Sequence, residues 1–157
     1  MLIKFIKYKP IVILKKKNLG VLPPLPHQFV TKSLQSSLII DLTEVIISIN
    51  ELMPQLSDFI LQFNNIVRDN SINVITETNG NMSLDVPINM PDNQAEQLSK
   101  RIGLIDRLIT TRGQEIDSLL QKGLEIEKKL KEQDSEFTSQ ILKKVNEFKR
   151  LNNSYKH

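Results

Sequence analysis

The residue types that carry most enzyme chemistry are few and scattered in this sequence of 157 residues. The two histidines, His27 and His157, have no carboxylates at the spacing that a metal site or a catalytic triad requires. The absence of cysteine excludes a disulfide scaffold, a thiolate metal site and a cysteine nucleophile. The acidic residues lie on the polar faces of predicted helices, where solvation explains them without paired acid–base chemistry. We therefore expect no catalytic residue, no metal, no cofactor and no small-molecule substrate, in a protein that is not an enzyme.

Positive charge is concentrated at the start of the chain. Residues 1–40 contain seven lysines and no acidic residue, whereas residues 41–157 hold 14 basic and 18 acidic residues. We expect residues 1–20 to form a flexible basic tail or a targeting segment, whose field attracts anionic surfaces. A basic segment without acids is typical of a mitochondrial presequence, but the lack of arginine and the presence of Pro10 argue against one. The sequence therefore favours the nucleus or cytoplasm, with the mitochondrion as the alternative.

The sequence indicates neither a membrane span nor a nucleic-acid site. No uncharged apolar stretch reaches the roughly 18 residues that cross a bilayer. Basic residues are enriched near the C-terminus, at Lys143, Lys144, Lys149, Arg150 and Lys156. They lack an aromatic platform on which bases could stack, and positive charge also complements the C-terminal end of a helix. We expect a protein that does not span a membrane and does not recognise nucleic acid directly.

A wide apolar stripe predicts a first long helix over residues 32–70, after a proline-rich linker at residues 21–31. Its a and d positions are Leu38, Leu42, Val45, Ile49, Leu52, Leu56, Phe59, Phe63 and Ile66. A second row, at position e, comprises Ile39, Ile46, Met53, Ile60 and Val67. A stripe of this width has to be covered on two sides, as in a helical bundle. Pro54 lies on the opposite side, at position f, and predicts a kink or a junction between two abutting helices.

Alternating residues predict a β-hairpin over residues 71–91. Apolar and polar side chains alternate strictly in its second half, with the period of two that a strand requires. A three-residue loop at residues 79–81, with Asn81 left-handed, would pair Val74 with Val86 and place the apolar residues on one face. A two-residue Asn-Gly loop would pair a polar side chain of one strand with an apolar side chain of the other, so we favour the longer loop. A disordered polar loop is the alternative.

The third segment, residues 92–152, predicts one long helix with a narrow coiled-coil seam, followed by a short tail at residues 153–157. The seam consists of Ile102, Ile105, Ile109, Ile116, Leu119, Ile126, Leu130 and Phe137. After Phe137 the apolar register shifts by four residues, which resembles a coiled-coil stutter. Charged residues occupy the positions between the seam residues. Among them, Glu127 lies four residues before Lys131, a spacing at which the two could form a surface ion pair. Such a helix would measure roughly 90 Å, too long for a globular core.

Glycine recurs every ten residues along this helix, at Gly103, Gly113 and Gly123. The close approach of a second helix would explain such glycines. They are equally explained as tolerated substitutions, each of which costs about 1 kcal/mol of helix propensity relative to alanine. We favour the second explanation.

The patterns together predict a mainly α protein, an elongated helical hairpin or coiled coil with a small β-hairpin between its two long helices. We expect the apolar seams to be too large for one chain to cover, so that other helical subunits pack on them. The predicted partner interface consists of Leu38, Leu42, Val45, Ile49, Leu52, Leu56, Phe59, Phe63, Ile102, Ile105, Ile109, Ile116, Leu119, Ile126, Leu130 and Phe137.

This architecture predicts a non-catalytic coiled-coil subunit or adaptor of a multi-protein assembly, for example a transcription-coactivator, kinetochore or trafficking complex. The segment PPLPHQF followed by a helix with ELMP loosely resembles small coiled-coil subunits of the Mediator complex, and this resemblance implies a nuclear role in transcription regulation. The layout of helix, hairpin and helix is also similar to that of prefoldin subunits, which implies a co-chaperone as an alternative. A peripheral subunit of a mitochondrial complex, held by the basic tail, is the other alternative.

Overall fold

The computed structural model describes the backbone of residues 27–155 and the side chains of residues 34–155. Its elements in chain order are α1 (His27–Asp69), β1 (Asn73–Thr76), β2 (Met82–Asp85), α2 (Asp92–Gln133) and α3 (Ile141–Ser154). The prediction of a mainly α fold with a small hairpin between two long helices is confirmed. The predicted tail at residues 1–20 and the first part of the linker lie outside the described residues.

The bounds and continuity of α1 differ from the prediction. The helix begins at His27, inside the predicted linker, because the linker prolines all precede this residue and nothing in residues 27–31 lacks a helical donor. It continues across Pro54 as one helix, so the predicted junction between two abutting helices is wrong. Pro54 is exposed, which places the disturbed backbone on the solvent side of the helix.

A left-handed residue ends α1. Ser71 has a φ of 53°, its N–H donates to the Arg68 carbonyl at 3.2 Å, and the Ile72 N–H donates to the Val67 carbonyl at 2.9 Å. This pair of bonds is the Schellman arrangement, in which the left-handed position is usually glycine. Serine pays a steric cost there that glycine does not. Ile72 is buried directly after the turn, which anchors the first strand.

We expect Ser71→Gly to raise the free energy of unfolding by roughly 0.5–1 kcal/mol, because it removes this backbone strain. Urea unfolding followed by circular dichroism measures the change. The matched control is Ser99→Gly, at an exposed position inside α2, where glycine should lower stability by about 0.5 kcal/mol. The same sign for both variants would contradict a strained Ser71.

The hairpin is present, but its register is shifted from the predicted one. Val74 pairs with Leu84 rather than with Val86. The three-residue loop lies one position earlier than predicted, because the Glu77 N–H donates to the Asn81 carbonyl at 2.8 Å and the Gly80 N–H to the Glu77 carbonyl at 2.9 Å. Gly80, with a φ of 86°, takes the left-handed position that we had assigned to Asn81. Glycine adopts this conformation at no steric cost, which explains the choice.

The prediction of one helix over residues 92–152 is wrong. α2 ends at Gln133 and α3 begins at Ile141, and a turn at residues 134–140 joins them. In this turn the Phe137 N–H donates to the Asp134 carbonyl at 3.0 Å. The turn contains neither proline nor glycine, so local propensity does not force the break. Tertiary contacts of α3 hold it instead.

The described residues divide into two compact units, and all three helices contribute to both. Unit 1 contains residues 27–50 and 119–144, and its α1, α2 and α3 segments meet where Val45 and Ile141 lie against Gly123. The buried apolar residues of unit 1 are Leu38, Leu42, Val45, Ile49, Leu120, Ile126, Leu130 and Ile141. The wide stripe of α1 is thus contacted by two helices of the same chain.

Unit 2 contains residues 51–118 and 145–155, including the hairpin. Its buried apolar residues are Leu52, Met53, Leu56, Ile60, Phe63, Ile66, Ile72, Val74, Ile102, Ile105, Ile109 and Ile116. Arg112, a charged interruption of the predicted seam, donates from Nε to Gln55 Oε1 at 2.8 Å and so links α2 to α1. Asn64 Nδ2 donates to the Ser154 carbonyl at 3.1 Å and links α1 to α3.

Three residues of the predicted seams are only half-buried. Phe59 and Leu119 lie beside the core, whereas their neighbours Ile60 and Leu120 are buried. The next seam residues, Phe63 and Ile126, are buried again, so the displacement by one residue is local at these two places. Phe137, the third, lies in the turn between α2 and α3.

Candidate interaction surface

The residues that we predicted to contact partners lie mainly in the interior of the chain. All sixteen are buried except Phe59, Leu119 and Phe137, which are half-buried. Side chains buried to this degree offer almost no surface to a partner in this conformation. A partner surface must therefore be sought among the exposed residues.

A buried carboxylate in unit 1 holds the start of α3. Glu127 is only 5% exposed, and its two carboxylate oxygens accept three hydrogen bonds. The donors are the Ser139 hydroxyl at 2.5 Å, the Gln140 N–H at 2.7 Å and the Ile141 N–H at 3.2 Å. Ser139 Oγ in turn accepts from the Leu142 N–H at 3.2 Å. Together the two side chains satisfy the first amides of α3, which have no partner inside the helix.

The role that we predicted for Glu127, a surface pair with Lys131, differs from this finding. The carboxylate points to the α3 cap because the foldback of α3 covers that side of α2. The heptad pattern could not reveal this, since it assumes that the helix continues past residue 133. The local sequence signals are Asp134, whose carboxylate accepts from the Glu136 N–H at 3.1 Å in the turn, and Ser139, a preferred cap residue two positions before the Ile141 that begins α3.

Gly123 makes the close approach of α3 and α2 possible. A Cβ atom built on Gly123 would lie 2.7 Å from Cδ1 and 2.8 Å from Cγ1 of the buried Ile141. The corresponding positions at Gly103 and Gly113 have no atom within 4 Å. Our interpretation of the three glycines as tolerated substitutions therefore holds for the first two and is wrong for Gly123.

Tyr155, directly after α3, contacts both other helices in unit 2. The Tyr155 hydroxyl donates to a carboxylate oxygen of Asp106 on α2, and its ring meets Phe63 of α1 edge-on, with centroids 4.8 Å apart. Burial first, and then the hydrogen bond and the charge of Asp106, raise the pKa of Tyr155 well above its ordinary value. The phenol therefore stays protonated in the folded chain at pH values where an unfolded tyrosine ionises.

We expect Tyr155→Phe to cost about 1–2 kcal/mol at neutral pH, because it removes a hydrogen bond to a charged group and leaves the ring contact. Since the folded pKa is raised, the contribution of the hydroxyl is fully present below about pH 10 and is lost as the pH rises above it. The urea midpoint should decrease more between pH 8 and pH 11 for the wild type than for Tyr155→Phe. An equal decrease for both proteins would contradict this role of the Tyr155 hydroxyl.

One face of α1 in unit 1 exposes apolar side chains to solvent. We call it the outer face of α1 and define it as the exposed residues Ser36, Ile39, Ile40, Thr43, Ile47 and Asn50. Ile39, Ile40 and Ile47 are 46%, 42% and 51% exposed. Thr43 Oγ1 already donates to the Ile39 carbonyl at 2.8 Å, so its hydroxyl needs no other acceptor. None of the six side chains is charged.

The exposed face of α2 in the same unit has the opposite character. Its exposed residues between positions 121 and 132 are Gln121, Lys122, Glu125, Lys128, Lys129, Lys131 and Glu132. Every one of them is polar or charged, as on an ordinary solvated helix. Adjacent exposed isoleucines on one helix are a feature of interaction sites, whereas single exposed apolar residues need no explanation.

The outer face was visible in the sequence, although we did not use it. Ile40 and Ile47 occupy the f position of the heptad, which we had described only through Pro54. A position f that holds isoleucine instead of a charged residue contradicts the pattern of a solvated face. The width of the neighbouring stripe drew attention to the buried side.

Neither a metal-binding cluster nor a membrane-spanning helix occurs among the described residues. No group of three or more histidine, cysteine, aspartate or glutamate side chains is placed to hold a metal ion within the part of the chain that the structure describes. None of the helices between residues 27 and 155 is long and apolar enough to cross a membrane. The side chain of His27, all of His157 and the side chains of all seven lysines of residues 1–40 lie outside the described side chains.

In unit 2 a groove of about 420 Å³ lies along α1 and α3. Its lining residues are Met53, Pro54, Ser57, Glu147, Arg150, Leu151 and Ser154. It combines one acidic and one basic side chain with an apolar floor and holds none of the predicted site residues.

The fold and its surfaces were compared with what is known of other proteins. The searches of protein-family models, of curated proteins and of solved structures found no match to this chain. The function must therefore be argued from the chain's own surfaces.

Proposed function

We propose that this protein is a non-catalytic helical subunit that assembles with other proteins through the outer face of α1. The observation that carries the proposal is the contrast between the two exposed helix faces of unit 1, one uncharged with three exposed isoleucines and the other fully polar. Most of the wide stripe of α1 is buried inside the chain, whereas Ile39 of its e row is exposed and belongs to the outer face. Leu34 and Leu142 of unit 1 are exposed as well, but the outer face groups three exposed isoleucines on one side of one helix.

The size of the surface suits a helix packed along α1. Six residues from Ser36 to Asn50 lie on four turns of the helix, a length over which two helices interdigitate their side chains. Complete burial of an isoleucine is worth roughly 1.5–3 kcal/mol, so covering the exposed half of three isoleucines is worth several kcal/mol. This is a large share of the free energy that a specific complex needs.

Co-purification of the tagged chain from its own cells tests this proposal. We expect defined helical proteins at a fixed stoichiometry with the wild type, and their loss with the double variant Ile40→Lys/Ile47→Lys, because two charges would be buried in the contact. The matched control is Leu104→Lys, which introduces the same residue at a position of α2 that is 57% exposed. It should leave the co-purified proteins unchanged.

Thermal melts of the variants separate loss of binding from loss of folding. All three substitutions lie at exposed positions, so we expect stabilities within about 0.5 kcal/mol of the wild type. Retention of the same proteins by Ile40→Lys/Ile47→Lys would contradict the proposal. Recovery of many unrelated unfolded chains at no fixed ratio would contradict it as well, and would support a chaperone.

A further inference from the structure

The charge along α1 has one sign beside its outer face. Between Lys32 and Arg68 the helix contains four acidic residues and no lysine, arginine or histidine. The acidic residues are Asp41, Glu44, Glu51 and Asp58. α2 differs, because both basic and acidic residues occur along its exposed positions. The one-sided charge of α1 is therefore a local feature and does not follow from the overall composition, which is net basic.

The acidic residues stand next to the exposed isoleucines. Glu44 follows Ile40 by four residues and precedes Ile47 by three, and Glu51 follows Ile47 by four. Residues three and four apart are neighbours on a helix surface, so an acidic row borders one long edge of the outer face. The opposite edge is formed by the uncharged Gln35 and Ile46.

We infer that the partner of the outer face is an amphipathic helix with an apolar seam and lysines or arginines along one edge. This inference rests on the proposed function and names the chemistry of the partner. The seam would cover Ile40 and Ile47, and the basic edge would lie along Glu44 and Glu51, as flanking charges set partner choice and orientation in paired helices. A partner with an acidic edge would meet like charges at Glu44 and Glu51 and be rejected.

Two synthetic 21-residue peptides with the same leucine seam test the inference on the full chain, one with lysines and one with glutamates along the same edge. We expect the lysine peptide to bind about tenfold more tightly by fluorescence anisotropy, and the preference to shrink in high salt. Glu44→Gln/Glu51→Gln should reduce the preference about threefold or more. The control Glu125→Gln/Glu132→Gln makes the same charge change on exposed positions of α2 and should leave it intact.

Ile40→Ser/Ile47→Ser removes the apolar surface without adding charge and should abolish binding of both peptides. Equal binding of the two peptides, or an equal effect of the α2 control, would overturn the inference. A peptide of residues 1–20 of this chain is the third probe, and its binding in place of the lysine peptide would assign the face to the chain itself and overturn a separate partner. If the peptides fail while co-purified proteins are still lost from Ile40→Lys/Ile47→Lys, the partner chemistry is wrong and the proposed function stands.

Discussion

Gly123→Leu is expected to lower the free energy of unfolding by about 2–3 kcal/mol and to detach the start of α3 from α2. The first added carbon would already stand 2.7 Å from Ile141 Cδ1, and Ile141 is fully buried, so its side chain has no open space to move into. Urea unfolding measures the stability, and amide hydrogen exchange measures whether residues 140–142 open before the rest of unit 1.

Gly113→Leu is the matched control for this substitution, because it makes the same change on the same helix with no atom within 4 Å. Leucine has a higher helix propensity than glycine, so this variant should be more stable than the wild type by up to about 0.8 kcal/mol. The expected result is that Gly123→Leu lowers the free energy of unfolding and Gly113→Leu raises it. Stabilisation at both would show that α3 does not pack closely on Gly123.

Glu127→Ala is expected to cost roughly 2–4 kcal/mol, because it leaves the first amides of α3 and the Ser139 hydroxyl without an acceptor. Amide exchange at Gln140 and Ile141 should accelerate more than exchange in unit 2. Glu127→Gln keeps an acceptor oxygen and should lose less stability than alanine.

Glu125→Ala serves as the control for Glu127→Ala, since it removes a carboxylate two residues away at an exposed position. We expect a change within about 0.5 kcal/mol. A comparable loss in both variants would mean that the general charge of α2, and not the cap of α3, accounts for the effect of Glu127.

The elements of this fold could be predicted where the hydrophobic period is long and uninterrupted. Apolar residues spaced three and four apart from Leu38 to Ile66 identify α1. The alternation of apolar and polar residues before residue 91 identifies the hairpin. The predicted apolar face holds for Ile72 and Val74, which are buried, and Val74 still meets an apolar residue, Leu84. It does not hold for Ile88, which lies beyond β2 and is exposed. The register of the hairpin could not be predicted, because the alternation of apolar and polar residues is equally satisfied after a shift of two residues. The position of the turn is set by Gly80, which takes the left-handed conformation.

The break between α2 and α3 could not be predicted from the periodicity. No residue between positions 134 and 140 prevents a helix, and the apolar pattern resumes at Ile141 after a short shift. What ends the helix is a tertiary arrangement, namely the cap by Glu127 and the gap that Gly123 leaves for Ile141. Contacts between residues far apart in sequence override local propensity at such places.

The same foldback explains why the residues of the predicted interface are buried within the chain. The sequence showed more apolar surface than two helices can cover, and we assigned the excess to partner chains. A third helix from the same chain covers part of it, as the contacts of Ile141 beside Gly123 and of Tyr155 with Phe63 show. The outer face of α1 stays exposed, and its Ile40 and Ile47 occupy position f, which the heptad register places on the solvent side.

Site-specific photo-cross-linking in the native cell, from a benzoylphenylalanine placed at position 47, shows whether another protein covers the outer face of α1. If it does, the photoreactive group at residue 47 should yield one or two defined conjugates. The same group at position 104, also about half exposed, should yield none of them. No conjugate from position 47, or the same products from both positions, would contradict the account.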